Sequence, residues 1–254
     1  MSTHDLLILS AVLGAGAFVE SVAGFGGTVM ALSLGARWFG IEALLAWFLP
    51  LNLGLSLALA LRGRPAIEWR ALGTAILPMM LLGLAGGTAL AWVVDAEGAR
   101  AMFAALVIVV ALAEIAVQVT ARARAADAPP RRVPMIAQRG LLLGAGVVHG
   151  LFATGGPLAV AVISRNIRTK TALRATLAVM WFVLNVIVLS RLAVRGHVDA
   201  DSLVGSAQLV PAMAVGMVFG EVVHRRTSET WFRAVVAGLL LVTGTLLLHA
   251  SLTR

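Results

Sequence analysis

The chain contains no cysteine, which excludes disulfides and thiolate chemistry outright. Charge is also scarce: 13% of the residues are Asp, Glu, Lys or Arg, against 60% hydrophobic, and the mean hydropathy is +0.95. A soluble domain would carry about a quarter charged residues and could not hide so much apolar surface. The chain is therefore read as an integral membrane protein. The signatures of an intramembrane enzyme are missing as well. There is no Gly-x-Ser-Gly with a partner His, no His-Glu-x-x-His, and no Asp inside an apolar span. The five His are scattered, and His149 and His249 have no partner at ligand spacing, so neither a metal nor a redox cofactor is expected. The formal charge of +8 sits in short loops, which speaks for orientation in a membrane rather than nucleic-acid binding.

What is present is a series of apolar runs, each long enough to cross about 30 Å of hydrocarbon. Six read as ordinary spans: 41–61, 71–94, 99–121, 172–194, 203–223 and 231–250. Met1 to Asp5 carries no basic segment and no cleavage site follows, so the first apolar run is read as a membrane helix and not a removable signal. The two halves of the chain echo each other. A shift of 133 positions superposes Asn52 on Asn185, Pro78 on Pro211, Gly83 on Gly216, Gly87 on Gly220 and Arg100 on Arg233. Asn occurs three times and Pro eight times, so coincidences among them at one offset carry weight. The expected units are a first repeat over 1–121, a polar cytoplasmic linker over 122–139 and a second repeat over 140–254.

Two apolar segments, 5–36 and 140–164, are interrupted by glycine. The first breaks at Gly24-Phe25-Gly26-Gly27; the second breaks at Thr154-Gly155-Gly156, with Pro157 suited to the first turn of a new helix. If both segments crossed fully, the 20 Lys and Arg would divide 11 to 9 between the faces. If both dip in and return, 15 of the 20 fall on one face. Short cytoplasmic loops carry the Lys/Arg excess, so the second topology is expected. The fold class is then all-α integral membrane, with two inverted repeats, each a re-entrant broken helix plus three transmembrane helices. Both termini are periplasmic.

A helix that restarts near the midplane offers unpaired N–H groups and the positive end of its dipole. Restarts near Thr28 and Pro157 would aim two such ends at the interface between the repeats, a site for an anion. The alternative is that the glycines serve helix packing alone, which suits Gly83, Gly87, Gly216 and Gly220 better than a Gly-Gly doublet followed by Pro. Glu20 is the most deeply placed carboxylate, and buried ionisable groups in membranes are costly. It is read as a proton carrier, or else as a carboxyl bonded to a neighbouring helix. His149 stands in nearly the same place before the second break and could complete a proton-coupling pair. Asn52 and Asn185 either bond the substrate or hold the broken backbone. Ser21, Thr28 and Thr154 could add hydroxyls to the cradle. Glu114, Gln118 and Glu221 are expected to pair with loop Arg residues. Five Trp, including Trp47, read as interface anchors, while Trp181, deeper in its span, lines a cavity or, the preferred reading, packs in the core.

The Gly-Phe-Gly-Gly break, the second glycine break after the central linker and the duplicated Pro-x4-Gly-x3-Gly pattern resemble the sulfite exporter TauE/SafE family. The second break lacks that family's preceding Gly-x-Gly. The resemblance implies a carrier in the bacterial inner membrane for sulfite, sulfonates or related organosulfur or carboxylate anions. The reading is thus a secondary transporter working by alternating access, proton-coupled, with Gly24 to Thr28, Thr154 to Pro157, Asn52, Asn185 and Ser21 at the anion. An anion channel is the alternative, and an intramembrane enzyme is a weaker one. The partners implied are the small anion, protons and membrane lipids, with no nucleic acid; a homo-oligomer is compatible with the sequence.

Overall fold

A computed structural model describes residues 2–35, 38–93, 134–167, 169–228, 231 and 238. The expected span 99–121, nearly all of 231–250, and Glu114 and Gln118 lie outside the described residues. Among those described, the secondary structure is all helical. Helix α1 (Thr3–Ala23) leads into a short α2 (Gly27–Gly35), followed by α3 (Ile41–Arg62) and α4 (Trp69–Val93). The second half repeats the order: α5 (Met135–Phe152), a short α6 (Gly156–Ile163), α7 (Lys170–Val194) and α8 (Ala200–Arg226). The six longer helices are each long and apolar enough to cross a membrane.

The ends of these helices follow from local chemistry. Ser2 and Asp5 form a capping box at the start of α1, and Asp199 and Ser202 form one at the start of α8. Gly24 closes α1 in the left-handed conformation, φ 82°, with its N–H on Glu20 O. Ala153 closes α5 in the same way at φ 54°, with its N–H on His149 O. Gly24 and Ala153 are 129 positions apart, as are Glu20 and His149, so the two breaks are built to one plan. In α4 a π-helical turn over Leu72–Ile76 precedes Pro78; such a turn absorbs the hydrogen bond that proline cannot make.

Two differences from expectation concern lengths. Each broken segment is a membrane-length helix plus a short one, 21 and 9 residues in the first and 18 and 8 in the second. Helix α5 also begins at Met135, inside the stretch read as linker. Met135 to Arg139 holds no glycine or proline, so a full turn of helix forms ahead of Gly140.

Small residues set the packing. A Cβ on Gly83 would strike the backbone of Leu143 and Val147, and one on Gly87 the backbone of Val147, so α4 and α5 touch backbone to backbone. Gly216 and Gly220 press α8 on α1 at Gly14, Phe18 and Ser21 in the same manner. Close approach of this kind replaces the hydrophobic drive that lipid does not supply. Helices α3 and α7 run antiparallel: Gly63 lies against Ala175, and Asn52 bonds Asn185. About 16 Å of rise separates each pair along its helix. Leu61, Leu82 and Phe219 are among the apolar side chains left on the outer surface, which suits a lipid-facing wall. Trp38, Trp69, Trp92 and Trp231 are exposed near helix ends, as interface anchors are. Trp47 is different: it is half-buried, edge-on to Phe39 at 5.4 Å and against Gly205. Its neighbours on α8 are small, so the ring finds a core position instead of the interface.

Candidate functional site

The two breaks meet at one buried cavity. Its wall takes Glu20 from α1, Phe25, Gly26, Thr28 and Val29 from the first break and α2, and Asn52 from α3. The second half contributes His149 from α5, Ala153, Thr154 and Gly156 from the second break, and Trp181 and Asn185 from α7. Water centres can occupy about 20 Å³ of the void, roughly what one water needs.

Helix α2 starts at Gly27 and α6 at Gly156, each within a residue of the expected restart. The first-turn amides of each lack an intrahelical acceptor. The short helices are folded back on the long ones. A Cβ on Gly27 would meet Gly16 O and the Glu20 carboxylate, and one on Gly155 would meet Ala145 O and the His149 Cβ. Gly16 and Ala145 are again 129 positions apart.

Four side chains form a continuous chain of hydrogen bonds across the cavity. Asn52 Nδ2 donates to Glu20 Oε2 at 2.7 Å, Asn185 Nδ2 donates to Asn52 Oδ1 at 2.7 Å, and His149 Nε2 lies 3.0 Å from Asn185 Oδ1. The Ser56 hydroxyl adds a weaker contact to Asn52 Oδ1 at 3.4 Å. All four members are at most 4% exposed. His149 Nδ1 is buried without a hydrogen-bond partner. Trp181 stacks on His149 with centroids 5.4 Å apart, and its indole N–H donates to Gly24 O at 2.8 Å.

The candidates from the sequence divide into three groups. Glu20, Phe25, Gly26, Thr28, Asn52, His149, Thr154, Gly156 and Asn185 reach the cavity wall. Gly24, Gly27 and Gly155 lie in the same breaks outside the lining and allow the backbone to turn and close up, and Pro157 is buried in the first turn of α6. Ser21 is elsewhere: it is fully buried against Gly220 of α8. It sits one helical step past Glu20, which turns it away from the cavity. Asn52 and Asn185 also touch each other, a contact the sequence did not indicate. Of the two readings of Trp181, cavity lining and core packing, the structure has the first, and the indole also supports the first break. A mid-span Trp with a duplicated polar residue four positions on was the available signal.

Sequence reasoning also missed two arginines that secure the breaks from one helix. Arg174, near the start of α7, donates to Ser21 O at 2.8 Å and pairs with Glu221 at 2.7 Å; Glu221 also takes Arg225 at 2.8 Å. Arg191, near the other end of α7, donates to Gly150 O. Ser21 and Gly150 stand 129 positions apart, as Glu20 and His149 do. Glu221 thus has the arginine pairing expected of it. Among the described residues no group of three His, Asp or Glu is placed to hold a metal ion.

The profile of the sulfite exporter TauE/SafE family matches residues 8–247. A curated relative described as "Probable inner membrane transporter protein TsaS", from Comamonas testosteroni, is 30% identical over 100 residues. That match spans 39% of this chain and 42% of the relative's length. No solved structure matches.

Proposed function

This chain belongs to the sulfite exporter TauE/SafE family, and on that premise we propose that it is a secondary transporter of small anions of the sulfite, sulfonate or carboxylate type. The anion binds where α2 and α6 begin. The observation that carries this reading is the meeting of two helix N-termini, α2 and α6, at one cavity crossed by the Glu20–Asn52–Asn185–His149 chain. Each N-terminus favours negative charge. The orphaned, buried His149 Nδ1 is a second polar group at the same wall. The relative's printed name, an inner membrane transporter, agrees with this assignment.

Alternating access by two inverted repeats is the mechanism that fits best. Its support is the antiparallel contact of α3 with its own copy α7. Ser21 O meets α7 near one end and Gly150 O near the other, as inversion requires of their helices. The cavity holds about one water, so an anion of several heavy atoms enters only when the walls separate. That motion separates a carrier from an open channel.

The Glu20 carboxylate lies against the first residue of α2, where it occupies ground the anion would use. Two negative groups there repel, so anion binding and protonation of Glu20 are linked. The reading is proton–anion symport. A thermal-shift screen of purified protein against sulfite, sulfate, sulfonates, carboxylates and cations tests the site, because stabilisation grows with ligand concentration over Kd. Stabilisation by one or more small anions and by no cation is expected. Stabilisation by cations alone overturns the reading.

A further inference from the structure

We propose that the Glu20–Asn52–Asn185–His149 chain is a polarity relay. A proton on Glu20 in one half turns His149 Nδ1 in the other from a bare acceptor into an N–H donor for the anion. The inference rests on the anion site proposed above and adds how its two halves are coupled.

Hydrogen-bond stoichiometry sets the polarity of the chain. A carboxamide has one accepting and one donating end, an ionised carboxylate only accepts, and a neutral imidazole carries one N–H. With Glu20 ionised, Asn52 Nδ2 donates to it and Asn185 Nδ2 donates to Asn52 Oδ1, at 2.7 Å each. Asn185 Oδ1 then faces His149 Nε2 at 3.0 Å, so Nε2 must hold the hydrogen. Nδ1 is left as a lone pair, and it is the atom without a partner, on a side chain 2% exposed at the cavity wall. A lone pair in that place repels an anion.

Protonating Glu20 reverses the chain. Its hydroxyl donates to Asn52 Oδ1, Asn52 Nδ2 donates to Asn185 Oδ1, and Asn185 Nδ2 donates to His149 Nε2. Both amides turn over, and while the Asn185 contact is open Nε2 gives its hydrogen to water and Nδ1 takes one from water, so the tautomer changes with no net proton on the ring. One proton is gained, His149 stays neutral, and the cavity gains a donor. The Ser56 hydroxyl beside Asn52 both donates and accepts, so it follows either polarity. Three other ionisable side chains on the packed helices lie nearest the two breaks, and each has a partner of its own. Arg174 pairs with Glu221, His224 Nδ1 contacts Val22 O, and Arg191 donates to Gly150 O. Asn52 and Asn185 are positioning residues in this scheme, acting on the anion through His149.

The test is nitrogen NMR of isotope-labelled histidine in the full-length protein in nanodiscs, with His149 assigned by comparison with His149→Gln. The pH runs from about 9 to about 5, across the range where His titrates. Methanesulfonate is the anion probe, because its own charge is constant there. As the carboxylic C=O infrared band of Glu20 appears, His149 should pass from the Nε2–H to the Nδ1–H neutral form. Methanesulfonate affinity should rise about ten- to a hundredfold, the size of one hydrogen bond to a charged group. Asn185→Leu should leave the Glu20 band and remove the tautomer change. If wild-type His149 keeps Nε2–H while Glu20 protonates, or becomes an imidazolium directly, the relay is overturned. A tautomer change that follows Glu20 without any response to methanesulfonate supports the relay and overturns the anion reading beneath it.

Discussion

Gly24 closes the long helix of the first break and Gly156 opens the short helix of the second, and alanine should affect them differently. Gly24 sits at φ 82°, and an added Cβ would stand 3.0 Å from Arg174 Cα. Left-handed backbone costs an L-residue about 1–2 kcal/mol, so Gly24→Ala should lower thermal stability by at least that much. A Cβ on Gly156 meets only Trp181 and Phe25, at 3.7 Å and beyond. Gly156→Ala should therefore unfold within about 0.5 kcal/mol of wild type while weakening anion binding, because the methyl enters the cavity. Thermal unfolding and ligand-induced shifts on the same samples separate the two effects. Ala153, the counterpart of Gly24, already carries a side chain at φ 54°. Ala153→Gly should raise stability by up to about 1 kcal/mol, strain relief being partly offset by a more flexible unfolded chain. At this scale much of the site was legible: a carboxylate, an imidazole and a duplicated Asn near glycine breaks stand out in so apolar a chain. The direct bond between Asn52 and Asn185 was not, because periodicity assigns a residue to a helix face without naming what that face meets. A residue that contacts its own copy lies near the axis relating the copies, and only coordinates fix that axis.

Among the elements, the α4–α5 and α8–α1 pairs depend on the absence of Cβ atoms at Gly83, Gly87, Gly216 and Gly220. Gly87→Val and Gly220→Val should each lower stability by about 1–3 kcal/mol through overpacking, read as loss of thermal stability in detergent. Gly54→Val, where a Cβ would meet nothing within 4 Å, is the control and should be tolerated. The i, i+4 spacing marks these glycines as packing residues in the sequence, because small residues one turn apart let two backbones approach. The start of α8 carries a pH-dependent feature outside the spans. Hydrogen bonds from the Ser202 amide and hydroxyl hold the Asp199 carboxyl below its ordinary 3.8. A lowered carboxylate stabilises fully above its unfolded pKa and loses that contribution as pH falls through the folded value. Amide protection at the first turn of α8, measured against the intrinsic exchange rate at each pH, should fall as pH drops below about 4, and Asp199→Asn should flatten that response. The helix lengths were the poorest reading at this scale. A glycine break marks where a helix stops, while the hydropathy around it does not say how unequally the two pieces divide.

For the whole molecule, the account makes the two halves copies of opposite orientation, each giving one break to a shared site. The distribution of Lys and Arg pointed to that orientation before any coordinates, since it is a property of loops and needs no contacts. The contact of α3 with α7 supports it independently. Reporter fusions in the α3–α4 loop at Ala66 and in the α7–α8 loop at His197 should therefore report opposite sides of the membrane, cytoplasmic and periplasmic. Both on one side would contradict the inverted arrangement. Function at this scale reduces to whether anion and proton move together through a site that Glu20 controls. Proteoliposomes loaded with a pH-sensitive dye, given the anion that most stabilises the protein, measure this directly. The account predicts saturable acidification of the lumen with wild-type protein, and with Glu20→Gln either no transport or anion uptake without proton movement. Acidification by Glu20→Gln that matches wild type, with the same dependence on pH, would contradict it.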